Sequence, residues 1–238
     1  MRHTAAKATD PVVEIHGLHH HGPDGQRLFA EAELALFPGE RVAIRGPEAG
    51  TIHALLLLLT GLASPAQGEI RLFGEALGRL GRRDVYALRR RIGVVFSRNP
   101  LVSNLRAVEN VALPLMYHEQ LSRAAALARA RDLLEAAGFV DGLWALPDHL
   151  SPAPRKLVAL ARALVLRPEI LAWEEPADGF DAEVLRRLWK LVDQSLPEHA
   201  LLLVTLRQPA TAPLPADRVI TIASGRFVET SASVAPGR

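Results

Sequence analysis

Two short stretches of this chain, "EILAW" (169–173) and "ALLLV" (200–204), are almost wholly apolar and flank the helical pattern "DAEVLRRLWKLVDQ" (181–194). A strand without polar alternation has both faces buried. Strands are buried that way mainly in parallel sheets carrying helices on both sides. The alternation continues elsewhere. "VVEIHGL" (12–18), "AELALF" (32–37), "RVAIR" (41–45), "GEIRLFG" (68–74) and "IGVVF" (92–96) read as strands, and "DVYALRRR" (84–91) reads as a short helix. "TIHALLLLLTGL" (51–62) is apolar nearly all round and reads as a buried helix. From about 105 to 139 the pattern is helical, with Ser122 as an N-cap, Gly138 as a stop and Pro114 as a break or kink. "PRKLVALARALVLRP" (154–168) adds an amphipathic helix, and "DRVITIASGRFVET" reads as a closing hairpin. The helical stretch interrupts the strand–helix alternation, so it is expected to form an inserted subdomain.

A chain of 238 residues buries a sizeable core as one domain. Its net charge of +2 argues for neither a nucleic-acid nor an anionic-membrane partner. With no cysteine, disulfides and thiol chemistry are excluded. The N-terminal segment "MRHTAAKATDP" lacks the apolar core of a signal peptide, and the longest apolar run is too short to span a bilayer. These features give the expectation of a cytoplasmic chain. Lysine occurs only at positions 7, 156 and 190, an arginine-for-lysine bias that fits GC-rich coding.

"GPEAGTIH" (46–53) runs into the buried helix as a phosphate-binding loop would, yet it contains no lysine. The pattern G-x-x-x-x-G-K-[ST] uses backbone N–H groups, a lysine and a hydroxyl to hold phosphates and Mg²⁺. Counting from Gly46 puts the second glycine on Thr51, the lysine on Ile52 and the hydroxyl on His53.

Over nearly its whole length the chain resembles the nucleotide-binding domain of ABC transporters. Seven segments carry the resemblance, in the family's order and spacing. "GPEAGTIHALLLLLTGLASPAQGEIRLFG" lies at the phosphate loop, "IGVVFS" at the Q-loop and "VENVALPL" at the start of the helical subdomain. "LSPAPRKLVALARAL" lies at the signature helix, "EILAWEEPADGFD" at the Walker B strand and D-loop, "LLLVTLR" at the H-loop, and "ADRVITIASGRFVE" at the closing hairpin. The "RK" after the signature is also similar to the ATPases of intermembrane lipid-trafficking importers. The resemblance implies an α/β, ABC-type P-loop NTPase fold: a mostly parallel core sheet, an antiparallel β subdomain and an inserted helical subdomain. The expected layout is a disordered N-terminus (1–10), one nucleotide-binding domain (11–230, helical subdomain about 98–167) and a flexible tail (231–238).

The same resemblance assigns roles by position, and most are filled by the wrong side chain. The degenerate phosphate loop is Gly46, Pro47, Glu48, Ala49, Gly50, Thr51, Ile52 and His53. Ile52 replaces a charge-assisted donor with a branched apolar group, a loss of about 1.5–3 kcal/mol of phosphate attraction. His53 replaces a hard oxygen ligand for Mg²⁺ with an imidazole. Glu174 stands at the Mg²⁺-binding aspartate and is the candidate metal ligand; Glu175 stands at the glutamate that polarises the attacking water. Two adjacent acids at a strand end also suit a structural salt bridge, the reading preferred here. Ser97 replaces the Q-loop glutamine, and Leu206 replaces the H-loop histidine and cannot donate a hydrogen bond. The signature keeps Ser151 but has Pro152 and Ala153 where backbone must approach phosphate closely. His21, or the run His19–His20–His21, lies near the adenine-stacking position, where a solvated loop histidine is the simpler expectation.

A chain that keeps the architecture and loses the chemistry reads as a catalytically impaired pseudo-ATPase. The resemblance implies a membrane permease subunit and a second ABC domain (itself or a competent paralogue) as partners, at the cytoplasmic face of the inner membrane, in lipid or other transport. ATP and Mg²⁺ are the implied ligands, held weakly or not at all. The alternative is a slow or partner-dependent Mg-ATPase that uses Glu174 and Glu175. A third reading, a soluble ATP sensor or DNA-associated regulator, has no basic, aromatic-rich face to support it, and no nucleic acid is expected.

Overall fold

A computed structural model describes residues 10–98, 101–207 and 215–230. The expected flexible tail and all of the expected disordered N-terminus except Asp10 lie outside them.

Six strands form the central sheet: β3 (Arg41–Gly46), β6 (Ile92–Val95), β7 (Ile170–Glu174), β8 (Leu201–Arg207), β9 (Arg218–Ala223) and β10 (Arg226–Thr230). Their order is β10-β9-β3-β8-β7-β6, parallel except for the closing β9–β10 hairpin. A second, antiparallel sheet of β1 (Val13–His21), β2 (Arg27–Leu36), β4 (Gln67–Leu72) and β5 (Glu75–Ala76) has the order β2-β1-β4-β5. This is the α/β architecture expected from the sequence.

The fully apolar strands bury alternate residues in two separate cores. Val42, Ile44, Ala172, Leu201, Leu203 and Ile220 face helix α1 (Ala49–Leu59) and the antiparallel sheet. Ala43, Leu171, Trp173, Leu202, Val204 and Leu206 face the other way, towards α5 (Pro152–Leu164) and α6 (Ala182–Ser195). This two-sided burial is why those strands carry no polar alternation.

Packing, not capping, sets α1. Its first flanking residue, Glu48, is extended and makes no side-chain cap, which forgoes about 1 kcal/mol. Against that, Ile52, Leu55, Leu56 and Leu58 are fully buried, each worth roughly 1.5–3 kcal/mol. Burial wins by several-fold.

Helix α2 (Arg82–Arg89) precedes β6, and α3 (Ala107–His118) and α4 (Arg123–Ala136) stand with α5 between β6 and β7 as a helical block. Ser122 caps α4 through its hydroxyl, and Gly138 ends it at φ +82°, as expected. Pro114, in contrast, does not break its helix: α3 runs through it. Proline removes one backbone bond, but Val108, Val111, Ala112 and Leu115 are buried around it. Asn110 adds a local tie, since its side chain donates to the carbonyls of Val102, Leu105 and Arg106 and accepts from the Val102 amide. No helix among the described residues is long and apolar enough to cross a membrane.

Candidate functional site

In open parallel α/β sheets, ligands bind beyond the carboxyl ends of the strands. Here the adjacent strands β3, β8 and β7 end at Gly46, Arg207 and Glu174, and β6 leads within two residues to Ser97. Four of the sequence-predicted positions therefore do converge: the loop after Gly46, Ser97, Glu174 and Glu175.

The loop after Gly46 is shorter than the pattern predicts. Only Pro47 and Glu48 separate β3 from α1, because Ala49–His53 are wound into the helix. The amides of Thr51 and Ile52 donate to the Glu48 carbonyl at 3.2 and 3.4 Å, so they are already engaged within the chain. Ile52 is fully buried, and its Cγ2 lies 2.5 Å from where a Cβ on Gly46 would stand. A side chain at position 46 would thus collide with the isoleucine methyl.

His53 and Glu174, two positions expected to lie at a metal, meet each other. The Glu174 side chain is 2% exposed. Its Oε2 lies 3.2 Å from His53 Nδ1 and accepts the Ser97 backbone amide at 2.8 Å. The His53 ring also tilts against Phe96, with centroids 5.3 Å apart. Ser97 therefore serves through its backbone, whatever its side chain.

Glu175 adopts a left-handed conformation at φ +51°, and its carboxylate accepts from the Arg207 amide (2.8 Å) and from Arg207 Nε (3.0 Å). Arg207 is a residue that the sequence reading missed. The available signal was a basic residue immediately after Leu206, at the end of the strand neighbouring β7. Leu206 itself turns into the opposite core and is 4% exposed, so its position does not face this cluster.

Ser151, Pro152 and Ala153 open α5, with Pro152 as the first helical residue and no side-chain cap from Ser151. Among the described residues they share no hydrogen bond with the cluster above. The histidine run also differs from expectation: His19, His20 and His21 belong to strand β1, not to a solvated loop. Burial holds the His20 imidazole below its usual pKa, while a backbone hydrogen bond at Ser64 opposes the shift. Among the described residues, no group of three or more acidic or histidine side chains is placed to hold a metal.

Many known proteins match this chain in sequence and fold. Residues 29–178 match the family model described as ABC transporter. The lipoprotein-releasing system ATP-binding protein LolD of Psychrobacter arcticus is 32% identical over 90% of this chain and 96% of its own length. The methionine import ATP-binding protein MetN of Mesorhizobium japonicum is 37% identical over 82% of this chain and 54% of its own. Among solved structures, a dimeric ATP-binding cassette in a post-hydrolysis state, bound to ADP and phosphate, superposes with a TM-score of 0.81 over 92% of this chain and 97% of its own, at 24% identity. With the two-sheet fold and the converging strand ends, these matches establish that the chain belongs to the ABC transporter family as one of its ATP-binding domains.

Proposed function

We propose that this chain is a pseudo-ATPase of that family: a structural or regulatory subunit that fills an ATP-binding position beneath a membrane permease and does not turn over ATP. One observation carries the reading. The groups that would hold Mg-ATP are engaged by the chain's own backbone and side chains, and the residues present do not fit that ligand. Ile52 covers Gly46, the first helical turn consumes the amides of Thr51 and Ile52, and the Glu174 carboxylate is engaged by His53 and Ser97. Arg207 holds Glu175, the carboxylate expected to polarise water. What remains for an anion is the N-terminus of α1, worth about 0.3–1 kcal/mol when exposed.

The partners follow from the relatives. LolD is the ATP-binding protein of a lipoprotein-releasing system and MetN that of a methionine importer, so we place this chain with a permease and a second ABC domain. Full-length similarity to LolD favours a lipid-bearing cargo. With Pro152 and Ala153 at the signature, the chain also serves a partner's nucleotide poorly. Loss of single transition-state donors costs enzymes about 10²–10³ in rate, and several such groups are absent here.

The test is phosphate release by the complex of this chain with its permease and second ABC domain. The proposal expects Glu175→Gln in this chain to leave the rate unchanged. A large drop would favour the alternative, a partner-dependent Mg-ATPase.

A further inference from the structure

The geometry points to Lys156 as an internal clamp that fixes the helical block to the loop leaving β7, so that the two move as one body without any ligand. Lys156 lies near the start of α5, and its side chain is only 7% exposed. Its Nζ donates to the Asp178 carbonyl at 2.5 Å and to Asp178 Oδ2 at 2.7 Å. A buried ammonium is tolerated only where acceptors replace its water. Both acceptors found here come from one residue in a different part of the fold.

Asp178 sits midway between β7 and α6, in a loop with little freedom. The loop opens at Glu175 and includes Gly179, both at positive φ, and the Asp178 amide donates to the Glu175 carbonyl at 3.2 Å. At one end Arg207 holds the Glu175 carboxylate; in the middle Lys156 holds Asp178; at the other end Asp181 caps α6 through the Val184 amide. Strained backbone such as that of Glu175 persists where its surroundings over-determine it. On the opposite side, α5 packs against α3 and α4, so the clamp ties that whole block to the strand end. Ser151, Pro152, Asp178 and Gly179 are exposed, which leaves the clamped junction with a solvent-facing side. The clamp is a property of the fold and stands apart from the question of nucleotide binding.

Hydrogen exchange followed by mass spectrometry on the full chain tests it, with Lys156→Met, Asp178→Asn and the double variant. Segments 152–157 and 176–180 are expected to exchange about ten- to a hundredfold faster in Lys156→Met, the scale set by losing a charge-assisted hydrogen bond. Asp178→Asn keeps the carbonyl acceptor, so its effect should be smaller, and the double variant should match Lys156→Met alone. Strands β1, β2 and β4 should exchange as in the parent. Unchanged exchange at both segments, an equal rise throughout the chain, or strictly additive effects would overturn the clamp. Should Lys156→Met not fold, Asp178→Ala at an exposed side chain keeps the test open. Faster exchange at the same two segments supports the clamp, and no change contradicts it.

Discussion

Nδ1 of His53 lies 3.2 Å from Oε2 of Glu174, an oxygen that also accepts the Ser97 amide at 2.8 Å. In this fold two positions expected at a divalent cation, His53 and Glu174, instead bond to each other, and the Q-loop position Ser97 bonds the same carboxylate. The carboxylate is almost fully buried, so the arrangement is a structural tie between α1, β7 and the segment after β6. Glu174→Ala should lower stability by about 1–3 kcal/mol in urea unfolding, because it leaves the Ser97 amide unpaired. His53→Ala should cost less, and the two effects should not add.

Ile52 makes a second, independent prediction. It is fully buried at the first turn of α1, so truncation to alanine leaves a cavity and should cost roughly 2–4 kcal/mol. Ile52→Lys restores the missing family residue, but the loop remains wound into helix and His53 and Arg207 remain in place. Titration with Mg-ATP should find no gain in affinity for that variant; tight binding would mean that Ile52 alone closes the site.

The acid dependence of stability should carry a component from Glu169. Arg91 bonds this carboxylate at 2.6 and 2.8 Å while its guanidinium rests 3.5 Å from the centroid of the Phe73 ring. The Arg91 hydrogen bond outweighs partial burial and holds the Glu169 carboxyl below its ordinary value. Because the folded pKa lies below the unfolded one, the stabilisation is complete above the usual carboxylate range and disappears as pH falls through the folded value. Both side chains are nearly half exposed, so screening limits the effect to about 1 kcal/mol or less. In thermal melts, Glu169→Gln should lie closer to the parent at pH 3 than at pH 7.

Arg207 and Glu175 form an unevenly exposed pair, with the arginine side chain 57% and the glutamate side chain 16% exposed. Arg207→Ala should therefore shift the unfolding free energy by about 1 kcal/mol or less. It should also leave phosphate release by the chain alone at background. Activity gained on freeing Glu175 would show that this ion pair had masked a working site.

Much of the fold was legible because it rests on strong, local signals. "EILAW" and "ALLLV" declared two-sided burial, Ser122 and Gly138 marked the ends of α4, and the order of the motifs placed the strand ends together. What could not be read depends on competition between local pattern and tertiary packing. Pro114 suggested a break, yet buried neighbours and the Asn110 tie keep α3 continuous. "GPEAGTIH" suggested a loop, yet the buried Ile52 draws Ala49–His53 into the helix. The pairs Arg207–Glu175 and Lys156–Asp178 join residues 32 and 22 positions apart, and no periodicity announces such partners.

Calorimetric titration of the purified chain with Mg-ATP into the millimolar range asks most directly whether the nucleotide site is closed. No detectable heat of binding is expected, since the chain's own groups satisfy the positions a triphosphate would need. Binding with a dissociation constant well below millimolar would contradict a closed site.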